Sequence, residues 1–317
     1  MDFPLICISF FTRILVVPPA AQVNFIDRMN QTSMFAFMNT TPFTHTDPHF
    51  VITDQAILAA FWQHAGINAF HDGQAVIIQK LCAAFANMPY ENLTKIIKSD
   101  AVISAGSAKR LPDEVVRDYL HYGTGGTCFS LTAAFIALFN ACGIEAHPIL
   151  ADRHYGVDTH CALVFPQDAG LLLLDPGYLI HQPIPLPTLA PQTVTHGFNT
   201  LELVPQDAGQ KVELFTVVNN SRKSRLTYKV SPVDGPTFGR AWERSFAWEM
   251  MTYPVLTKNC RGVHQYLQGN QLRIRDDTRT TKHQLTPDQE YDFISRTLGI
   301  HPAIIKQAFS IVMGNNC

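Results

Sequence analysis

The sequence predicts an α+β chain. Apolar residues first recur at helical spacing, then alternate as in strands, and finally mix the two periods, without the βαβ alternation of a parallel sheet. Residues 1–53 precede this pattern, mix Pro, Thr, Asn and His without a period, and read as a poorly structured N-terminal extension. Their opening apolar stretch begins with Asp2 and is split by Arg13. It therefore reads less as a secretory signal than as an extension, or as translation begun ahead of Met29, Met34 or Met38.

Each element has its own signal. Ile57, Leu58, Phe61 and Trp62 share a helix face, and residues 73–87 repeat the pattern with Val76, Ile77, Leu81 and Phe85. A third helix begins at Cys128. Its apolar face runs through Leu131, Phe135, Leu138, Phe139 and Cys142, and Gly143 stands where a left-handed cap is expected. Gly123, Gly125 and Gly126 precede it and permit a tight turn into the helix. Strands are expected at 144–151, 160–165, 171–175, 212–218 and 225–230, with the Pro-rich 183–191 as a connector. A closing helix starts with Thr286 as N-cap and Pro287 at N1, with Glu290 just past the capping-box position.

Composition excludes more than it assigns. A chain of 317 residues, 46% hydrophobic and 16% charged, can bury a large core and is not disordered. A net charge of -2 with scattered Lys and Arg gives no footprint for nucleic acid, and no apolar run is long enough to span a membrane. The seven cysteines, at 7, 82, 128, 142, 161, 260 and 317, include no C-x-x-C pair. They read as free thiols in a reducing cytosol, and no metal site is expected.

Cys128 is the candidate nucleophile. At a helix N-terminus the helix dipole and unpaired N–H groups stabilise a thiolate, and the same groups can hold an oxyanion. The plainer reading is a core thiol at the start of an apolar helix. A nucleophile needs a base and the base an orienting partner. If residues 166–169 form a hairpin loop, Phe165 pairs with Gly170 and His160 falls opposite Asp175 on one face. His147 and His154 are further candidates, each without a carboxylate partner across a strand.

These residues resemble a family. Met88, Pro89, Tyr90, Glu91, Asn92 and Leu93 are similar to the I-P-F-E-N-L motif of arylamine N-acetyltransferases, and Gly125, Gly126, Thr127 and Cys128 to their R-G-G-x-C motif. His160, followed by Asp175, Pro176, Gly177 and Tyr178, resembles the catalytic His and the D-x-G-F sequence. A Trp-rich helix near 242–248, a strand near 272–274 and a closing helix ending near 298–300 extend the match over residues 54–317. The resemblance implies a helical domain at 54–143, an antiparallel β-barrel at 144–235 and an α/β lid at 236–317, around a cysteine-protease-like core. It also implies a catalytic triad of Cys128, His160 and Asp175, with Tyr90, Thr127, Phe129 and Tyr178 around the substrate. The reaction would be ping-pong acyl transfer from acetyl-CoA, another acyl-CoA or an acyl-carrier thioester to an amine, in the cytoplasm, with no tightly bound cofactor.

The departures lie beside the nucleophile. The Arg before the glycines is Thr124 here, and the acidic and amide residues two and four positions after the Cys are Ser130 and Thr132. The local ion pair reads as replaced as a unit. Two rival readings remain open: a transglutaminase- or papain-like cysteine hydrolase or amidase, and a catalytically silent binding module.

Overall fold

The computed structural model describes residues 46–317 except 70, 102–107, 168–169, 197–198, 219–220, 249–251, 277 and 315–317. Most of the expected extension therefore lies outside the described residues. Its last part does not behave as expected: Asp47 caps a 3₁₀ turn at Pro48–Phe50, and Phe50 and Ile52 are core residues. Burial of two large apolar side chains fixes a segment whose polar composition reads as loop.

Helix α1 (Gln55–Ala65) is capped by Asp54, and α2 (Gln74–Asn87) buries Ile77, Ile78, Leu81 and Phe85. Val76, expected on the packed face, is exposed; Ile78 and Cys82 widen the buried stripe on its other side. Strand β1 (Tyr90–Glu91) leads into α3 (Leu93–Ala101), and α4 (Pro112–Tyr122) follows. α5 (Cys128–Ala141) is buried from Cys128 through Phe139, and Gly143 beyond it adopts φ 70° as expected. A helix apolar on all sides belongs at the centre of the core, where Phe135 stacks on Phe85 with centroids 3.9 Å apart.

Eight antiparallel strands follow: β2 (His147–Arg153), β3 (Gly156–Gln167), β4 (Gly170–Asp175), β5 (Ile180–Pro185), β6 (Gln192–His196), β7 (Asn199–Gln206), β8 (Lys211–Val218) and β9 (Ser221–Lys229). They form one sheet in the order β5-β4-β3-β2-β9-β8-β7-β6, and its edges approach each other, so the sheet is a nearly closed barrel. Its interior holds Ile149, Ala162, Val164, Leu173, Leu203, Leu214 and Tyr228. The alternate residues Leu150, Cys161, Leu163, Phe165 and Leu174 face outward into the cluster that contains α5. Part of the expected Pro-rich connector is strand β5, which tolerates Pro183 and Pro185 because it is an edge strand.

Helix α6 (Gly235–Arg244), capped by Asp234, precedes a second sheet of β10 (Val255–Cys260), β11 (Val263–Gln268), β12 (Gln271–Arg275) and β13 (Thr280–Gln284). β1 completes that sheet by pairing with β10, which ties the segment before α3 to the end of the chain. α7 (Pro287–Asp292) opens with a full capping box in which Gln289, at N3, reciprocates Thr286. The chain does not close near 298–300, because α8 (Pro302–Gly314) continues beyond it and packs against α3. No helix among the described residues is long and apolar enough to cross a membrane.

Phe135→Ala removes the ring stacked at the centre of this core. It should cost about 3–5 kcal/mol, read as a lower urea midpoint with an unchanged m-value.

Candidate active site

Cys128, His160 and Asp175 are brought together from three elements, one helix and two strands. Cys128 is the first residue of α5. Its N-cap Thr127 makes no side-chain cap bond, so the first-turn N–H groups stay uncapped by a hydroxyl. His160 and Asp175 lie on β3 and β4, on the strand face that points into the barrel, as the alternation with Ala162 and Leu173 requires.

The β3–β4 register differs from the expected one. Gln167, not Phe165, pairs with Gly170, so the whole ladder is shifted by two positions. A two-residue shift keeps every side chain on its face, whereas a one-residue shift would have reversed them. His160 and Asp175 are therefore diagonal neighbours, and the His160 Nε2–Asp175 Oδ2 distance is 2.6 Å. The Asp175 carboxylate also accepts hydrogen bonds from the Tyr228 hydroxyl at 2.7 Å and the Tyr178 backbone N–H at 2.8 Å.

The nucleophile candidate is held against the base by backbone contact. A Cβ added to Gly177 would lie 2.6 Å from Cys128 Cβ and 2.9 Å from His160 Cε1, so the chain at 177 fills the angle between the two side chains. Only glycine fits there. The exposures of Cys128, His160 and Asp175 are 3%, 1% and 0%, so their charges interact with little screening by water.

That burial shapes the proton affinities. Hydrogen bonds from Cys161 and His160, with the charges of His160 and Arg153, outweigh burial and hold the Cys128 thiol well below the ordinary range. Burial opposes charge on Asp175, but the His160 charge and the hydrogen bonds from His160, Tyr228 and Tyr178 bring its carboxyl down. Burial likewise opposes the imidazolium, and the Asp175 charge and hydrogen bond raise His160 overall.

The expected substrate residues separate. Tyr90 pairs with Thr257 and bridges to Gly126, and burial followed by the Cys128 charge raises its phenol. Thr127 lines a small cavity with Thr94, Lys95, Arg110 and Trp242. Tyr178 packs on the barrel core and caps Asp175 through its backbone. Phe129 is fully buried, with its ring near those of Phe238, Trp242 and Trp248. His147 pairs locally with Glu145 at 3.1 Å, and His154 is an exposed residue stacked on Tyr155.

Two arginines escaped the sequence reading. Arg110 is 3% exposed and donates to the Gly125 carbonyl at 2.8 Å and to Thr94 Oγ1 at 2.6 Å. It pairs with Asp118 at 2.7 Å and lies 3.7 Å from the fully buried Glu91. A buried guanidinium–carboxylate pair therefore stands beside the glycine turn, its guanidinium supplied from a position ahead of α4. The signal for it is Glu91 itself, since a buried carboxylate requires a cation. Arg153 is the second, donating from Nη2 to His160 Nδ1 at 3.0 Å.

Arg110→Met leaves Glu91 buried opposite an apolar side chain and should lower stability by about 3–5 kcal/mol in urea unfolding. The Asp175 carboxyl titrates lower folded than unfolded, near ~3.9 for the unfolded chain, so its contribution is present above that pH and lost as pH falls through the folded value. Asp175→Asn should flatten the acid limb of stability against pH, measured as urea midpoints from neutral pH downward.

No family model matches the chain, and no curated protein matches it in sequence. Solved structures do. The arylamine N-acetyltransferase from Mycobacterium abscessus superposes with a TM-score of 0.69 at 16% identity, covering 86% of this chain and 99% of that one. The Mycobacterium marinum enzyme in complex with CoA gives 0.66 at 16% identity, over 80% and 98%. An arylamine N-acetyltransferase from Bacillus cereus, described as having a Cys-His-Glu catalytic triad, gives 0.62 at 17% identity, over 79% and 100%. The chain has the fold of the arylamine N-acetyltransferases.

Proposed function

We propose that the chain is an acyltransferase that carries an acyl group, acetyl or another, from a thioester donor through a Cys128 thioester to an amine. The observation that carries this reading is the contrast among the thiols. Burial pushes Cys82 up to about 12, Cys142 up to about 11 and Cys161 well up, whereas Cys128 alone of these is held down, beside an imidazole and a carboxylate.

In the first half-reaction Cys128 Sγ attacks the donor's carbonyl carbon, the tetrahedral oxygen rests on the N–H groups opening α5, and the donor thiolate leaves. In the second, the amine nitrogen attacks the Cys128 thioester. His160 Nδ1 takes the amine proton, the C–S bond breaks, and the electron pair returns to Cys128 Sγ while an amide is released. Asp175 keeps the ring oriented throughout. Tyr90, Thr127 and Tyr178 are the nearest candidates for lining the acyl and acceptor positions. The CoA bound to the M. marinum enzyme of this fold supports an acyl-CoA donor, with an acyl-carrier thioester as the other source, and the triad described for the B. cereus enzyme supports the three-residue assignment. The five free cysteines among the described residues suit a reducing cytoplasm.

Incubation with acetyl-CoA and longer acyl-CoA compounds should give an acyl adduct in the intact mass. The adduct should be absent in Cys128→Ala and discharged by an added arylamine. Failure of every thioester to label the wild type defeats the transferase, and release of free acid at a rate indifferent to amine identifies a hydrolase.

A further inference from the structure

We propose that Arg153 is a carboxylate receptor: one of the substrates that react at Cys128 carries a carboxylate group, which the Arg153 guanidinium holds beside His160. The proposal rests on the reading of Cys128 and His160 as the reacting pair.

The backbone aims this arginine. Arg153 closes β2, and alternation puts it on the face of Ala151, the residue that pairs with His160. Its own partner is Gly156, so the β2–β3 register shifts between the two, with Asp158 at φ 56°. Such an irregularity re-aims a side chain at a strand end. The guanidinium reaches the His160 ring, Nη2 lying 3.0 Å from Nδ1, while Asp175 holds Nε2 at 2.6 Å. Arg153 therefore stands at the ring nitrogen that Asp175 leaves to the reaction.

Charge accounting leaves this guanidinium open. The β2–β3 hairpin has two carboxylates, and both turn to other cations: Asp152 takes Lys229 at 2.8 Å, and Asp158 takes Lys229 at 2.7 Å and Arg244 at 3.3 Å. Asp175 lies beyond the ring and already holds His160, Tyr228 and the Tyr178 N–H. Tyr155 brings Arg153 a phenol rather than an anion. Among the described residues no Asp or Glu pairs with Arg153 within 4.0 Å, and its Nε is buried without a hydrogen-bond partner. A carboxylate accepts two parallel N–H bonds along one edge of a guanidinium, and Nε and Nη2 bound such an edge beside the ring.

A carboxylate there suits both the charges and the surface around it. The Arg153 charge works against the proton affinity that Asp175 gives His160, and an anion on the guanidinium removes that opposition. The turn beyond is apolar and open. His154 and Tyr155 form it, with ring centroids 5.0 Å apart, and Tyr155 and Val157 are 54% and 67% exposed. Two sources share this chemistry. One is the acyl group of a diacid monothioester, whose far end is a carboxylate. The other is an arylamine acceptor with an acid on its ring, for which Tyr155 offers a stacking surface.

The test uses the full chain and unreactive probes. Succinate is compared with succinamide, and benzoate with benzamide, as protectors of Cys128 against iodoacetamide, with the alkylated residue identified by peptide mass. At least one acid should protect at a concentration about tenfold lower than its amide. Preference for succinate alone assigns the carboxylate to the acyl group, preference for benzoate alone assigns it to the acceptor, and preference for both admits either. Arg153→Gln should remove the preference while its urea midpoint reports a folded chain. Arg153→Lys keeps the charge without the paired donors, should lose part of the preference, and decides the matter where Arg153→Gln does not fold. A preference absent from both pairs in the wild type, or unchanged in the folded variant, overturns the proposal. No acyl donor is used, so acid preference without any acyl adduct defeats the transferase alone, and an acyl adduct without acid preference defeats the receptor alone.

Discussion

The site depends on one close approach, that of the backbone at Gly177 to Cys128 and His160. A helix start and a strand end meet there with no side chain between them. Everything else follows from that spacing. The backbone at 177 lies against both Cys128 and the His160 ring, and the carboxylate at the end of β4 is placed by the same turn that carries the glycine. The contact also seals the three groups from water, which lets modest charges act strongly.

Sealing creates a problem of uncompensated charge, and the fold answers it in two layers. Near the chemistry, Asp175 is held by His160, Tyr228 and the Tyr178 N–H. Behind it, Glu91 is held by Arg110 and by the hydroxyl and N–H of Thr94. Lys95 lies between the layers. Its ammonium donates to the Ser245 carbonyl at 2.8 Å and hydroxyl at 2.7 Å, lies over the Phe246 ring, and is brought down to about 8 by burial. Each of these three ions is thus held by dipoles as well as by charge, which keeps the framework rigid.

What was legible in the sequence was local. The start of α5 could be read because glycines, an apolar period and a cysteine coincide within a few residues. The faces of His160 and Asp175 could be read because alternation is a local property. Their register could not, since a hairpin of two or four connecting residues preserves the same alternation. β5 was hidden by prolines that only an edge strand accepts. Arg110 and Arg153 were hidden for a deeper reason: the first acts on residues of two other elements, and the second is aimed by a bulge that no residue type announces.

Arg110 has a consequence for how such chains diverge. A guanidinium donating to the carbonyl of Gly125 satisfies the turn from whichever backbone position it reaches, so the requirement belongs to a point in space. A lineage can pass through a sequence holding arginines at both positions and then discard the older one, without ever leaving Glu91 bare. Shape can therefore persist at 16% identity.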